Sequence, residues 1–217
     1  MVTVLALDTA TSACSAAVRQ DGRILARRFE AMPRGQSEAL VPMVQDVMAE
    51  AGLDFPDLDL VAVTVGPGAF TGLRIGLATA RSLALAAAKP CLGVTTFDAV
   101  AAAVAPGDTP LLVVLETKRA DLYVQLFGPD GTSLSAPGTA LPEELPDLFP
   151  GPLRIVGDGT ERARASLPHA EPAAGSGLPD AAVVAALAAE RWKPGEPLPP
   201  PAPLYLRPPD VTPPAAP

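Results

Sequence analysis

Residues Gly66 to Arg74 read GPGAFTGLR and follow LVAVTV, a β-branched apolar run with the character of a buried strand. A glycine-rich turn from strand to helix can hold an anion, because the first amides of a helix lack intrahelical partners and point outward. Neither familiar phosphate template fits, however. A Walker loop needs a lysine and a hydroxyl residue after its last glycine, whereas Gly72 is followed by Leu73 and Arg74, and the first lysine in the chain is Lys89. A dinucleotide fingerprint beginning at Gly66 and Gly68 requires a third glycine where Thr71 stands. Gly66, Pro67, Gly68 and Thr71 are therefore expected to shape a sharp strand-to-helix junction, with Thr71 as the candidate N-cap.

A second candidate is Asp8 in DTAT, at the end of the strand-like VTVLAL. Phosphotransferases place a metal-holding carboxylate at such a strand end, and Thr9 and Thr11 can offer hydroxyls to phosphate. The alternative is that Asp8 and Thr9 hydrogen-bond their own turn. The single histidine, His169, lies between prolines in LPHAEP with no second histidine or cysteine beside it, so neither a metal site nor a hydrolytic triad is legible. Cys14 and Cys91 lack CxxC spacing and read as buried reduced thiols, which fits a cytoplasmic protein.

These residues must be positioned by a core that the chain can build. Of its 217 residues 48% are hydrophobic, enough for one domain or two small lobes. A net charge of −8 argues against this chain gripping a nucleic-acid backbone by itself, so any RNA role would need a partner's basic surface. The opening MVTVLALDTA has no basic n-region and meets Asp8 too early for a signal peptide, and the longest apolar region carries Arg74 and Arg81, so no membrane segment is expected.

VTVLALD reads as a strand and SAAVRQDGRILARRF as a hairpin turning at Asp21-Gly22. Residues 36–51 place Leu40, Val44, Val47 and Ala51 on one helical face before Gly52, provided that Pro42 lies in the first turn. LDLVAVTV, TGLRIGLATARSLALAAAK, CLGVTT and FDAVAAAVA then alternate strand, helix, strand, helix, which favours an α/β sheet covered by helices. After Pro106, LLVVLETKRADLYVQLFGPDG repeats the opening layout of strand, acid-threonine, strand and Asp-Gly turn, which favours a degenerate duplication. The expected units are 1–105, a smaller 106–193 that includes the last helix, and a proline-rich tail 194–217 in which LYLR alone looks able to dock. Along the second helix Gly72, Gly76, Ala80, Ala84 and Ala88 recur every four residues as a ridge of small side chains. That ridge can meet either the protein's own sheet and neighbouring helix or a second protein.

GPGAFTGLRIGLATARSLALA, with the opening LALDTAT and the closing LYLRPPD, resembles the TsaB (YeaZ) family of tRNA threonylcarbamoyladenosine biosynthesis, and the resemblance runs over nearly the whole chain. It implies the actin-like ATPase fold, an α/β architecture of two related ribonuclease-H-like lobes. It also implies a non-catalytic scaffold that pairs with a TsaD-like transferase as a heterodimer, is joined by a TsaE-like ATPase, is able to form a homodimer in isolation and meets tRNA only through the complex. On this resemblance the chain binds no cofactor, ATP and a metal belonging to partner subunits. Thr96 and Val100 stand where the catalytic paralogue has two metal-binding histidines, and Gln36 where relatives often show histidine. The implied partner interface is Leu40, Met43, Val44, Val47, Gly72, Arg74, Gly76, Ala80 and Arg81, with Asp8 and Thr9 as a weak nucleotide-binding remnant. The rival function is an actin-fold phosphotransferase or a peptidase-like hydrolase.

Overall fold

The computed structural model describes residues 2–207. The opening strand β1 (Thr3–Asp8) is buried along its whole length, and alternation sends its side chains to two different cores. Leu5 and Leu7 join one cluster with the first two helices, whereas Val4 and Ala6 join another beneath the last helix. A strand covered on both faces reads as a continuous apolar run, and β4 (Leu60–Thr64) divides in the same way. Around them lie β2 (Ala13–Gln20), β3 (Arg23–Ala31) and β5 (Cys91–Val94), giving the order β3-β2-β1-β4-β5. The β2–β3 turn at Asp21 and Gly22 has positive φ at both residues, 46° and 85°, as a two-residue hairpin requires.

The second half builds β6 (Leu111–Glu116), β7 (Leu122–Phe127), β8 (Gly138–Ala140), β9 (Arg154–Val156) and β10 (Glu171–Pro172) into the order β10-β9-β6-β7-β8. Read from the first strand of each half, the two sheets have the same order and the same sense of pairing: two antiparallel partners on one side and two parallel ones on the other. The duplication is therefore a property of the fold, and Asp8 and Glu116 occupy equivalent strand ends.

Helix α1 (Gln36–Ala51) ends on Gly52 in the left-handed region, as its sequence suggested, but Pro42 sits in its second turn rather than its first. Pro42 is exposed, so water can serve the carbonyl left without an amide. Helix α2 (Phe70–Ala87) starts at Phe70 with Ala69 as N-cap. Thr71 is thus inside the helix and exposed, and it is not the cap.

The helices do not respect the expected boundary at residue 105. The helix α3 (Thr96–Ala102), which follows β5, buries Phe97, Val100 and Ala101 under the second sheet against Leu111, Val113 and Leu115. The short α4 (Leu145–Leu148) and α5 (Thr160–Arg164) cover the other face of that sheet, through Leu145 and Ala163. The last helix, α6 (Ala181–Arg191), crosses back and packs Ala181, Val184, Ala185 and Ala188 on the first sheet. A unit 106–193 is consequently not a separate packing unit. The halves exchange helices, and an Arg191–Asp98 ion pair at 2.9 Å joins α6 to α3. Among the described residues no helix is long and apolar enough to cross a membrane.

Candidate functional site

The GPG junction lies against the turn after β1, where contact is made backbone to backbone. The Ala69 amide donates to the Ala10 carbonyl at 2.7 Å, and the Thr9 hydroxyl donates to the Gly72 carbonyl at 2.7 Å. A Cβ on Gly68 would run into the Ala10 carbonyl, and one on Gly72 into the carbonyl of Thr9. These glycines therefore permit close approach of two backbones rather than of a phosphate. We expect Gly68→Ala to force the two segments apart and to lower stability by roughly 2–4 kcal/mol. A thermal melt checks this; an unchanged midpoint would mean that the junction is not tightly packed.

Closure of this junction decides the fate of Asp8. Its carboxylate is fully buried, with Oδ1 accepting from the Thr64 hydroxyl at 2.6 Å and from the Ala10 amide at 3.1 Å. Oδ2 has no hydrogen-bond partner among the described residues. Burial pushes the Asp8 pKa up to about 7, against the opposing effect of those two hydrogen bonds. Asp8 and Thr9 thus organise a turn inside the protein, and neither lines the open cleft described next, which removes the structural basis for a nucleotide remnant at these two residues.

Between the carboxyl ends of β1 and β6 lies a cleft of ≈ 1000 Å³ walled by both halves. Gln36 helps to build one wall, its Nε2 donating to the Met32 and Thr11 carbonyls at 3.1 and 3.3 Å. On the opposite wall the Glu116 amide donates to the Asp158 carboxylate at 2.9 Å, while the Glu116 side chain pairs with Arg162 at 2.6 Å. Burial raises the pKa of Asp158. The LYLR segment straps across the mouth. The Leu204 amide donates to the Val65 carbonyl at 2.7 Å, Tyr205 stacks on Phe70 with ring centroids 5.8 Å apart, and Arg207 pairs with Asp121 of the second half. Residues 208–217, including the rest of LYLRPPD, lie outside the described residues.

A family model described as TsaD, tRNA N6-adenosine threonylcarbamoyltransferase, matches residues 30–143. An uncharacterised protein of Mycobacterium tuberculosis is 38% identical over 216 residues, spanning 97% of this chain and 94% of its own. The tRNA threonylcarbamoyladenosine biosynthesis protein TsaB of Escherichia coli is 39% identical over 122 residues, 55% of this chain and 52% of TsaB. The solved structure of YeaZ from Pseudomonas aeruginosa has a TM-score of 0.80 at 29% identity, spanning 95% of this chain and 100% of that one. The chain belongs to the TsaB (YeaZ) family. Its architecture is the actin-like ATPase fold, as the sequence resemblance implied.

In this TsaB-family chain the expected partner interface needs correction. Leu40, Val44, Val47, Gly72, Gly76 and Ala80 are all buried, the first three and Ala80 inside the core cluster formed with β1, β2 and β4. Gly76 faces the Thr9 side chain. From Gly72 to Ala84 the small ridge is therefore the inner face of α2, small at Gly72 and Gly76 because the helix comes so close there to the turn after β1, whereas Ala88 is its exposed C-cap. Met43 is half-buried, and Arg74 and Arg81 are exposed. The outer stripe of α2 is Phe70, Arg74, Ala78, Arg81 and Leu85, with Phe70 53% and Leu85 84% exposed. On α1, Val41 is also exposed.

Thr96 and Val100 are both buried at the start and middle of α3, Val100 in the core beneath β6. The cap of α3 is Thr95, whose hydroxyl accepts from the Asp98 amide at 3.0 Å. Thr64, Asp158 and Arg162 were not singled out by sequence reasoning, and only the Gly-Asp-Gly around Asp158 carried a local signal, whereas Tyr205 lies in the LYLR segment expected to dock. Burial pushes the Cys14 thiol up to about 12 and Cys91 up to about 11, so both are inert as nucleophiles near neutral pH.

Proposed function

We propose that this chain acts in tRNA threonylcarbamoyladenosine formation as a non-catalytic partner that binds and supports a TsaD-like transferase, with a TsaE-like ATPase joining the pair. The observation that carries the reading is the residue pair Thr96 and Val100, buried where the resemblance places the metal-binding histidines of the catalytic paralogue. Valine has no lone pair for a cation, and a single hydroxyl is a poor substitute for imidazole. The chemistry then belongs to the partner, and ATP and the metal are held there. A phosphotransferase reading would need Asp8 at the cleft, whereas this carboxylate is sealed beneath the GPG junction. On this reading the chain meets tRNA only within such a complex and works in the cytoplasm.

The C-terminal part of the outer stripe of α2, Ala78, Arg81 and Leu85, which lies outside the cleft, is the surface we assign to the transferase, and in isolation to a second copy of the chain. It offers Leu85, 84% exposed, as an apolar anchor with exposed Arg81 as its charged neighbour. Leu85→Asp should weaken association with the transferase by roughly 10- to 100-fold, because an exposed anchor is replaced by a charge that must be desolvated. The melting temperature should not change. The test is reconstitution: tRNA modification and co-elution measured for the chain alone, the transferase alone, the pair and the Leu85→Asp pair. Modification by this chain alone would sink the proposal, and wild-type association by Leu85→Asp would move the contact elsewhere.

A further inference from the structure

The chain is acidic, yet the cleft is not. Five cationic side chains, Arg34, Arg74, Lys118, Arg119 and Arg207, line it against two carboxylates, Glu116 and Asp158, in a protein of net charge −8, and of these Arg207 is paired with Asp121 outside the cleft. Glu116 is already neutralised by Arg162. Arg34 and Lys118 are exposed and make no ion pair among the described residues. Arg74 lies over the Phe70 ring at 3.7 Å and donates to the Tyr205 hydroxyl at 3.2 Å, so its guanidinium is held in place without being neutralised by an acid. Beside it Phe70 and Tyr205 are 53% and 44% exposed and already stacked on one another. Cations brought to one concave rim from separate segments, next to a half-exposed aromatic pair, are the elements that hold single-stranded nucleic acid: charges along the backbone and a flat surface for a base.

We propose that the rim formed by Arg34, Arg74 and Lys118 with the Phe70–Tyr205 pair contacts the sugar–phosphate backbone of a single-stranded stretch of the RNA substrate. This rests on the functional reading above and extends it, because the chain then touches the RNA itself instead of acting only through its partner. The negative charge of the whole molecule keeps the contact weak alone and lets it add to the partner's grip. The charge that matters is the local one, since at physiological salt charges beyond about 8 Å are largely screened.

The test is binding of a tRNA transcript to the complex of this chain with the transferase, read by fluorescence anisotropy over a salt series. The variants are Arg34→Ala with Lys118→Ala, and, as a charge-matched control, Arg23→Ala with Arg164→Ala, two exposed arginines outside the cleft. The rim variant should bind tRNA about tenfold more weakly, with a salt slope lower by about 1.4, since each of the two removed cations would otherwise neutralise one phosphate of a single strand. The control should match the wild type. Equal affinities for the rim variant and the control in complexes that still co-elute would overturn the cleft assignment alone. Displacement of tRNA by ATP in the wild type but not in the rim variant would also overturn it, in favour of a small anionic ligand. Failure of the wild-type chain to co-elute with the transferase would instead overturn the functional reading beneath it.

Discussion

Ala80→Arg is expected to prevent folding rather than to block assembly. Ala80 is fully buried in the cluster that joins α2 to the first sheet, among Leu5, Leu7, Val61, Val63 and Leu77. An arginine there must either displace that packing or bury a guanidinium with no acid in reach. Overpacking alone costs about 1–3 kcal/mol, and an unpaired buried charge adds several more. Their sum approaches the whole stability of a typical domain, about 5–15 kcal/mol. The variant should be insoluble or lack a cooperative melt by circular dichroism. Ala78→Arg, two residues earlier on the exposed stripe, should melt within a few degrees of wild type. A folded Ala80→Arg protein with a normal melt would show that this face of α2 is not core.

Replacing Asp8 by asparagine should stabilise the protein above neutral pH and remove part of its pH dependence. The folded protein holds the Asp8 proton up to about pH 7, whereas the unfolded chain releases it near 3.8. Between these values the native state binds the additional proton, so stability falls as pH rises through the window and levels off above it. Asparagine keeps an oxygen for Thr64 and Ala10 and carries no charge to desolvate. At pH 8 Asp8→Asn should exceed the wild type by on the order of 4 kcal/mol, with the difference disappearing towards pH 4. Urea unfolding of both proteins from pH 4.5 to 8.5 measures it. Parallel curves would mean that the carboxylate is solvated in the native state, and the junction more open than described.

The two predictions concern one piece of architecture. The glycines of the GPG junction bring α2 onto the turn after β1, the small ridge lets the helix approach, and Asp8 is enclosed beneath it. Here Asp8 is sealed in the core, while Gly68, Ala69, Phe70, Thr71 and Gly72 of the junction form part of the wall of the open cleft.

The sequence by itself determined the period and order of the elements. Apolar runs, the Asp21-Gly22 turn, the Gly52 stop and the repeated strand, acid and turn layout are set by local backbone preference and side-chain spacing, which act between near neighbours. It also excluded the Walker and dinucleotide templates, since these depend on residue types at fixed offsets. Only the tertiary structure decided which face of a helix points inward. In α2 the series Gly72, Gly76, Ala80, Ala84 and the stripe Phe70, Arg74, Ala78, Arg81, Leu85 both follow helical spacing. A ridge of small residues looks the same whether a sheet or a second protein lies against it, and the difference is fixed by the turn after β1, about sixty residues away in sequence. The exchange of α3 and α6 between the halves, and the gathering of cations from four separate segments around one cleft, are likewise invisible to local pattern. They arise because each sheet must cover its remaining apolar face, and because residues that are distant in sequence, such as Arg34 and Tyr205, meet only when both sheets are formed.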